Sequence, residues 1–421
     1  MTHVAVVGAG PSGIFATTAL LKRDDVRVDV FDRTPTPFGL VRYGVAPDHL
    51  KIKSVVRTLH KTMSDPRVTF RGNVTLGRDL TLDDLDREYA AVVLATGAPR
   101  PRRLGIPGED LPGHVSAGTL VDWYNGRPAA GQAAQARRVV VIGAGNVALD
   151  IARVLLRGGG LAHTDVTDAV LHVLNRNPVR EVRVLVRGGV ADTKFTPAEL
   201  LELDKLADLD IVVDPGELTL TEDDRARCET DRTVAARVEA FRRWSTRPRT
   251  GAPRSLTFRF RQAAEELTGT GRVEQVRLRG GERVPADLVV SAIGYRGEPL
   301  AGVPFDPRLG RIPHVRGRVG PGLYVTGWAK RGPSGVIGTN KACAIETVEG
   351  LLADLPVDDR EPGIDATLAA HGTRVVTWRG WLAIDAAEIA LGAQNDRTRT
   401  KIADLARLVE IGTGGGPTWL T

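Results

Sequence analysis

Cysteine is scarce in this chain of 421 residues: there are two, Cys228 and Cys343. They lie far apart and neither belongs to a Cys-x-x-Cys. That excludes a redox-active dithiol and leaves no ligand set for zinc or an iron–sulfur cluster, so no metal is expected. Aromatic residues make up only 5% of the chain. No apolar run approaches the roughly 18 residues that a membrane span needs. The chain enters an apolar strand at once, without the pattern of a signal peptide. These lacks set the expectation of a cytoplasmic protein held together by hydrophobic cores rather than by disulfides.

Glycine is plentiful, with 47 residues, and short apolar runs alternate with Ala/Leu-rich helical stretches, a pattern of α/β architecture. The length predicts two or three domains. The most informative stretch comes first. Val4-Ala5-Val6-Val7 is followed by Gly8-Ala9-Gly10-Pro11-Ser12-Gly13, a helical run to Leu21, and a second apolar run from Val26 to Phe31 that ends on Asp32. Strand, glycine turn, helix, strand and acid make a dinucleotide-binding βαβ unit. Gly8 permits the tight turn, Gly10 lets backbone approach a pyrophosphate, and Gly13 lets helix and strand pack closely. The start of the helix offers N–H groups and partial positive charge to phosphates. Asp32 is placed to accept from ribose hydroxyls, as FAD or NAD would present.

The theme returns at Val139 to Ile142, with Gly143-Ala144-Gly145-Asn146-Val147-Ala148 as a second fingerprint. Its next strand, Val182 to Val186, follows an insertion and ends on Arg187. A cation at that position attracts a 2′-phosphate and favours NADP over NAD. Between the two fingerprints, a Pro/Arg/Gly-rich linker from Ala98 to Pro112 marks a domain crossing. A helix is expected from Ile52 to Met63, a capping box at Thr81–Asp84, and a capped helix start at Thr196-Pro197-Ala198-Glu199. Trp378 and Trp381 in the polar, helical tail are expected as packing anchors.

Formal charge is +6, and residues 225–261 carry eleven arginines against Glu229, Asp231 and Glu239. This basic segment, with Phe241, Trp244, Phe258 and Phe260 interspersed, suits an acidic protein or a nucleic acid, or is simply a solvated face.

The order of these features resembles the two-dinucleotide flavoprotein reductases. The resemblance sharpens at Pro37-Phe38-Gly39-Leu40-Val41-Arg42-Tyr43-Gly44-Val45-Ala46-Pro47-Asp48-His49, at Gly145-Asn146-Val147-Ala148-Leu149-Asp150 and from Gly327-Trp328-Ala329 to Gly338-Thr339. These stretches are similar to the adrenodoxin reductase family of ferredoxin–NADP reductases, in its bacterial, mycobacterial-type members. The resemblance implies two Rossmann-like domains. The NADP-binding one (106–319) is inserted into a discontinuous FAD-binding one (1–105 and 320–421).

It also implies site residues. FAD would lie along Gly8, Gly10, Pro11, Ser12, Gly13, Asp32, Leu40 and Val74, with Trp328, Gly335, Val336 and Ile337 about its ring. NADP would lie on Asn146, Val147, Ala148 and Leu149, with Arg187 at the 2′-phosphate and Glu199 nearer the nicotinamide. His49 and Glu202 match the family's active-site His and Glu. The activity implied is hydride transfer from NADPH to FAD, then single electrons to a ferredoxin-type iron–sulfur protein docked on Arg237, Arg242 and Arg243. The family's two adjacent arginines are here Arg187-Gly188, which leaves NAD as an alternative. Other readings are a flavin-dependent monooxygenase or biosynthetic dehydrogenase on the same sites, and a non-enzymatic nucleic-acid or assembly factor.

Overall fold

The computed structural model describes residues 1–127, 136–358 and 360–414. They form two compact units. The first comprises residues 1–100, 125–127 and 295–421, and the second 101–124 and 128–294. In sequence, the second unit interrupts the first.

The first unit is built on a six-stranded sheet in the order Arg318–Gly320, Leu323–Val325, Ala91–Leu94, Thr2–Val7, Val26–Asp32, Val68–Gly72. All its pairings are parallel except the edge hairpin of the first two strands. Every residue of Thr2–Val7 is buried, as befits a central parallel strand covered on both faces. One face is packed by the helices Pro11–Leu20, Ile337–Asp354 and Trp378–Ala393, through Ile14, Ala344, Val348, Trp381 and Ile384. The other is covered by a second apolar cluster that includes Leu85, Tyr89, Val325 and Leu368. Thr81 and Asp84 form the expected capping box. Trp381 meets Phe38 edge-on and Trp378 meets Phe70 likewise, so both tryptophans anchor packing.

Two local expectations change. The helix expected over Ile52–Met63 is split into Leu50–Lys53 and Val56–Met63, because Ser54 turns its hydroxyl onto the Lys51 carbonyl and competes with the helical ladder. Residues 295–319 group with the first unit rather than the second. There Val303 and Ile312 join the core beside Leu85, and Ile312 N donates to Ala329 O at 3.0 Å.

The second unit repeats the plan. Its six-stranded sheet runs His114–Ser116, Leu288–Ser291, Arg138–Ile142, Glu181–Val186, Arg254–Phe260, Leu209–Val213, parallel throughout. A three-stranded antiparallel sheet, Ala264–Thr268, Gln275–Leu278 and Arg283–Pro285, is appended. Phe241, Trp244, Phe258 and Phe260 are all buried and, with Phe195, form a cluster with ring centroids 5.0–6.1 Å apart. They are core residues, unavailable for stacking on bases.

A buried ionic network ties the tail of the first unit to the loop around Leu40. Arg42 Nη2 donates to Glu388 Oε1 at 2.6 Å, Arg399 Nη1 to Glu388 Oε2 at 3.0 Å, and the Ile402 amide to Oε1 at 2.9 Å. Lys401 Nζ donates to Arg42 O at 2.8 Å. Burial alone would push the Glu388 carboxyl up, but the Arg42 charge and hydrogen bond, then Arg399 and the Ile402 amide, hold it below its ordinary value. A depressed folded-state pKa contributes stability above the unfolded pKa, and that contribution is lost as pH falls. Glu388→Ala is therefore expected to cost about 3–5 kcal/mol at neutral pH, since it leaves Arg42 buried and uncompensated. In thermal unfolding, wild type should lose stability on acidification through the carboxylate range, and the variant should lose less.

Candidate functional site

Each parallel sheet has one position where the chain reverses its direction of winding. In the first unit it lies between Thr2–Val7 and Ala91–Leu94, and in the second between Arg138–Ile142 and Leu288–Ser291. Crevices at the carboxyl ends of such strands are where open α/β sheets take ligands. Both fingerprints sit there. Gly8 has φ 116° and Gly143 φ 156°. A Cβ at Gly8 would collide with the Ala95 carbonyl oxygen, and one at Gly143 with that of Ala292. Both turns rest directly on the exit of the neighbouring strand.

In the first unit a Cβ at Gly13 would strike the Gly8 carbonyl, so the helix Pro11–Leu20 can start only on a glycine there. Gly10 is its N-cap and Pro11 its first residue, with no side-chain cap. The first-turn N–H groups thus face the crevice, where an anion is favoured. Asp32 Oδ2 accepts from Ala9 N at 2.7 Å, and Oδ1 accepts from Thr34 N at 2.8 Å and Thr34 Oγ1 at 2.7 Å. The acid therefore clasps the turn to the following loop, a task that its position in sequence does not reveal.

Phe38 is buried in the left-handed region at φ 78°, and its amide donates to Ala9 O at 2.8 Å. That bend brings Gly39 against Gly10 and turns Leu40 outward, 46% exposed. Across the crevice, Ser12 Oγ donates to Asn340 Oδ1 at 2.9 Å, and Arg331 Nη2 to the same oxygen at 2.6 Å. The Gly327 amide donates to the buried Cys343 sulfur at 3.3 Å. Trp328 stacks with Tyr295 at 6.4 Å. Gly335, at φ 82°, leads through Val336 into the helix Ile337–Asp354.

Val336 is 61% exposed. Exposed apolar side chains beside uncapped N–H groups suit a planar group that is apolar on its faces and polar at its rim. Val74 departs from this set. Its side chain is buried in the core, and only its backbone, bonded to Asp32 O, is near the turn. Phe38, Asn340 and Cys343 are contributors that sequence reasoning did not name as site residues, although Phe38 lies in the stretch Pro37–His49 that carries the resemblance.

In the second unit Gly145 caps the helix Asn146–Arg157, again with no side-chain bond. Asn146 Oδ1 accepts from Thr196 N at 2.8 Å, and Lys194 N donates to Ala144 O at 2.7 Å. Asn146 thereby fastens the 193–196 loop to the turn. Ala148 and Leu149 are buried in the core, so they can offer a ligand backbone but not side chain. Arg187 is exposed at the end of its strand. Thr196 Oγ1 accepts from the buried Glu199's amide. Glu202 is exposed enough to bond Lys205 Nζ at 2.6 Å. His49 lies in the first unit, half-buried at the start of Leu50–Lys53, whereas Glu199 and Glu202 lie in the second.

The arginine-rich segment differs most from expectation. Arg237 is on the buried face of the helix Arg232–Ser245, with Nη1 donating to Phe195 O; it cannot form part of an exposed patch. Arg243 and Arg247 pair with Asp204, Arg227 with Asp192, and Arg259 with Glu217 and Glu282. Arg242 is exposed. Much of the excess charge is matched by acids from elsewhere in the chain.

Two glycine turns at the switch points of two Rossmann-type sheets define the class of two-dinucleotide oxidoreductases. The family model described as pyridine nucleotide-disulphide oxidoreductase matches residues 2–187. NADPH-ferredoxin reductase FprA of Mycobacterium tuberculosis is 41% identical over 455 residues, covering 98% of this chain and 99% of that protein. The mitochondrial NADPH:adrenodoxin oxidoreductase of Rattus norvegicus is 37% identical, covering 97% and 91%. The solved structure of Mycobacterium tuberculosis FprA in complex with NADPH superposes with a TM-score of 0.93 at 40% identity, over 98% of this chain and 100% of that one. The chain belongs to the NADPH–ferredoxin reductase family that these proteins represent. No helix among the described residues is long and apolar enough to cross a membrane.

The two inner glycines of the first turn should respond differently to substitution. Gly13→Ala drives a methyl into backbone and is expected to cost at least about 3 kcal/mol. Gly10→Ala meets nothing nearer than the Gly39 Cα at 3.9 Å and should leave the melting temperature of flavin-free protein unchanged. Thermal denaturation of both variants checks this.

Proposed function

We propose that this protein is a flavin-dependent NADPH–ferredoxin reductase. The observation that carries the reading is the paired geometry: two glycine turns, each on the exit of a neighbouring strand, in a chain matched over nearly its full length by such reductases. Bound FAD supplies hydride acceptance from NADPH and onward release of single electrons.

The chain's own residues bind and orient. Gly8, Gly10, Pro11, Ser12 and Gly13 form the pyrophosphate cradle of FAD, and Asp32 fixes its ribose end. Leu40 and Val336 cover the flavin faces, with Trp328, Gly335, Ile337 and the Val74 backbone at its edges. The helix Ile337–Asp354 points its N-terminal N–H groups at the ring's polar rim, where they favour negative charge. Asn146, Val147, Ala148 and Leu149 take the NADP pyrophosphate through backbone, and Arg187 takes the 2′-phosphate. Glu199 orients the nicotinamide half, while His49 and Glu202 position it or hold the proton that accompanies hydride transfer.

The acceptor is an acidic iron–sulfur protein, steered to exposed arginines led by Arg242, with Arg237 excluded by its burial and Arg243 matched by Asp204. The two cysteines fall in different units, and Cys343 is buried. Disulfide chemistry therefore has no dithiol to use.

Purified protein is expected to be yellow, and anaerobic mixing with NADPH should bleach its visible flavin band within a turnover. A colourless protein that rejects FAD on reconstitution would overturn the reading. Gly10→Ala should retain its fold yet release flavin in dialysis, because the added methyl occupies the approach of the pyrophosphate. Ferredoxin-coupled turnover should fall steeply as salt rises, while reduction of small dyes changes little; equal sensitivity of the two assays would remove the arginine docking surface.

A further inference from the structure

Where the family shows two adjacent arginines for the 2′-phosphate, this chain has Arg187-Gly188. The structure shows why a second arginine is absent from that position. A Cβ at Gly188 would lie 2.5 Å from Asp192 Oδ2 and 2.8 Å from Asp192 Cβ. The Asp192 carboxylate is fixed in place by Gly189 N at 2.8 Å and Arg227 Nη1 at 3.0 Å. Its charge is matched by Arg227, whose hydrogen bond holds the carboxyl below its ordinary value.

The neighbouring strand supplies another cation. Arg254–Phe260 runs parallel to Glu181–Val186, with Phe260 beside Val186. The next residues on the two strands are Arg261 and Arg187, so two arginines leave the same sheet edge side by side. The pairing continues beyond the strands: Arg261 N donates to Gly188 O at 2.8 Å and Gln262 N to Val186 O at 3.0 Å. Arg261 is held at φ 57°, in the left-handed region, where a residue with a long side chain costs about 1–2 kcal/mol. The bend folds its side chain over the Gly188-Gly189 turn. A Cβ at Gly189 would lie 3.1 Å from Arg261 Nη2 and 3.4 Å from Cζ. Its guanidinium is anchored by Glu217 O at 3.2 Å and Thr219 O at 2.7 Å, two neutral carbonyls; the nearby Asp192 carboxylate, which Arg227 already holds by a hydrogen bond, also feels its charge. Arg261 and Arg187 are both exposed.

We propose that Arg261 is the second cation of the 2′-phosphate subsite, restoring across two strands the arginine pair that Gly188 removes from the sequence. The inference rests on the NADP reading of the second unit. A pre-anchored arginine on the strand next to that of Arg187 offers a phosphate a second charge-assisted donor, whereas NADH presents only a neutral 2′-hydroxyl there.

The test compares binding of 2′,5′-ADP and 5′-AMP to the flavin-loaded protein by calorimetry, in wild type, Arg187→Gln and Arg261→Gln. Wild type should prefer 2′,5′-ADP. Each substitution should lower 2′,5′-ADP affinity roughly tenfold or more with 5′-AMP bound as in wild type, and the kcat/KM ratio for NADPH over NADH should fall in parallel. Arg261→Lys, which keeps the charge but not the fork, should fall between; it also serves if the glutamine variant fails to fold. Wild type binding both nucleotides alike would overturn the NADP reading and this inference with it. Wild-type preference retained in Arg261→Gln but lost in Arg187→Gln would overturn this inference alone. So would equal loss of both nucleotides in Arg261→Gln.

Discussion

The whole arrangement depends on two contacts that tolerate no side chain: Gly8 against the Ala95 carbonyl and Gly143 against the Ala292 carbonyl. Each lets a strand-to-helix turn rest on the exit of the strand beside it. The turn thus lies at the sheet's switch point, with the helix N-terminus directed into the crevice. A methyl at either position would lift the turn and with it the N–H groups that meet a phosphate. Because the same contact occurs in both units, the chain uses one packing solution twice and varies only the residues that surround it. In the first unit those are an acid and exposed aliphatic side chains; in the second, exposed arginines.

What the sequence made legible follows from range. The glycine turns and the strands that precede them were readable, because each lies within a few residues of a pattern with a fixed physical meaning. The Thr81–Asp84 capping box is local in the same sense and is present. Assignments that depend on where distant chain lands were not readable. Val74, Ala148 and Leu149 were expected at the cofactors, but tertiary packing turns their side chains into the core, so only backbone remains for a ligand. Residues 295–319 carry no motif, and their place with the first unit is set by Val303 and Ile312 meeting a core drawn both from residues far earlier, such as Ala5 and Leu85, and from later ones, such as Val325 and Leu368. The break at Ser54 shows the same limit at short range, where a hydroxyl outweighs apolar periodicity.

The tail illustrates how long-range polar contacts shape a site without touching it. Glu388 lies 346 residues from Arg42, yet their buried pair fixes the segment Gly39–Tyr43, which presents Leu40. Phe38 and Trp381 pack edge-on alongside, and the Arg42 guanidinium lies 5.2 Å from the Trp381 ring centroid. An ion pair in this setting adds little net stability over a well-packed apolar substitute. It does dictate a single register between tail and loop, because any slip leaves charges buried and unmatched. The C-terminal helices are in this sense part of the flavin-side architecture.

The same bookkeeping governs the arginines. A net charge of +6 with eleven arginines in one segment reads as a basic patch only if those side chains point outward unpaired. In the fold, Asp192, Asp204, Glu217 and Glu282 meet four of them, and Arg237 is buried, as are the aromatic rings of the same segment. Long arginine stems cover apolar surface while their heads find acids or carbonyls. Surface potential is therefore concentrated at the few guanidinium groups that the fold leaves without a carboxylate, and those positions, rather than the density of arginine along the chain, decide where an anion can bind.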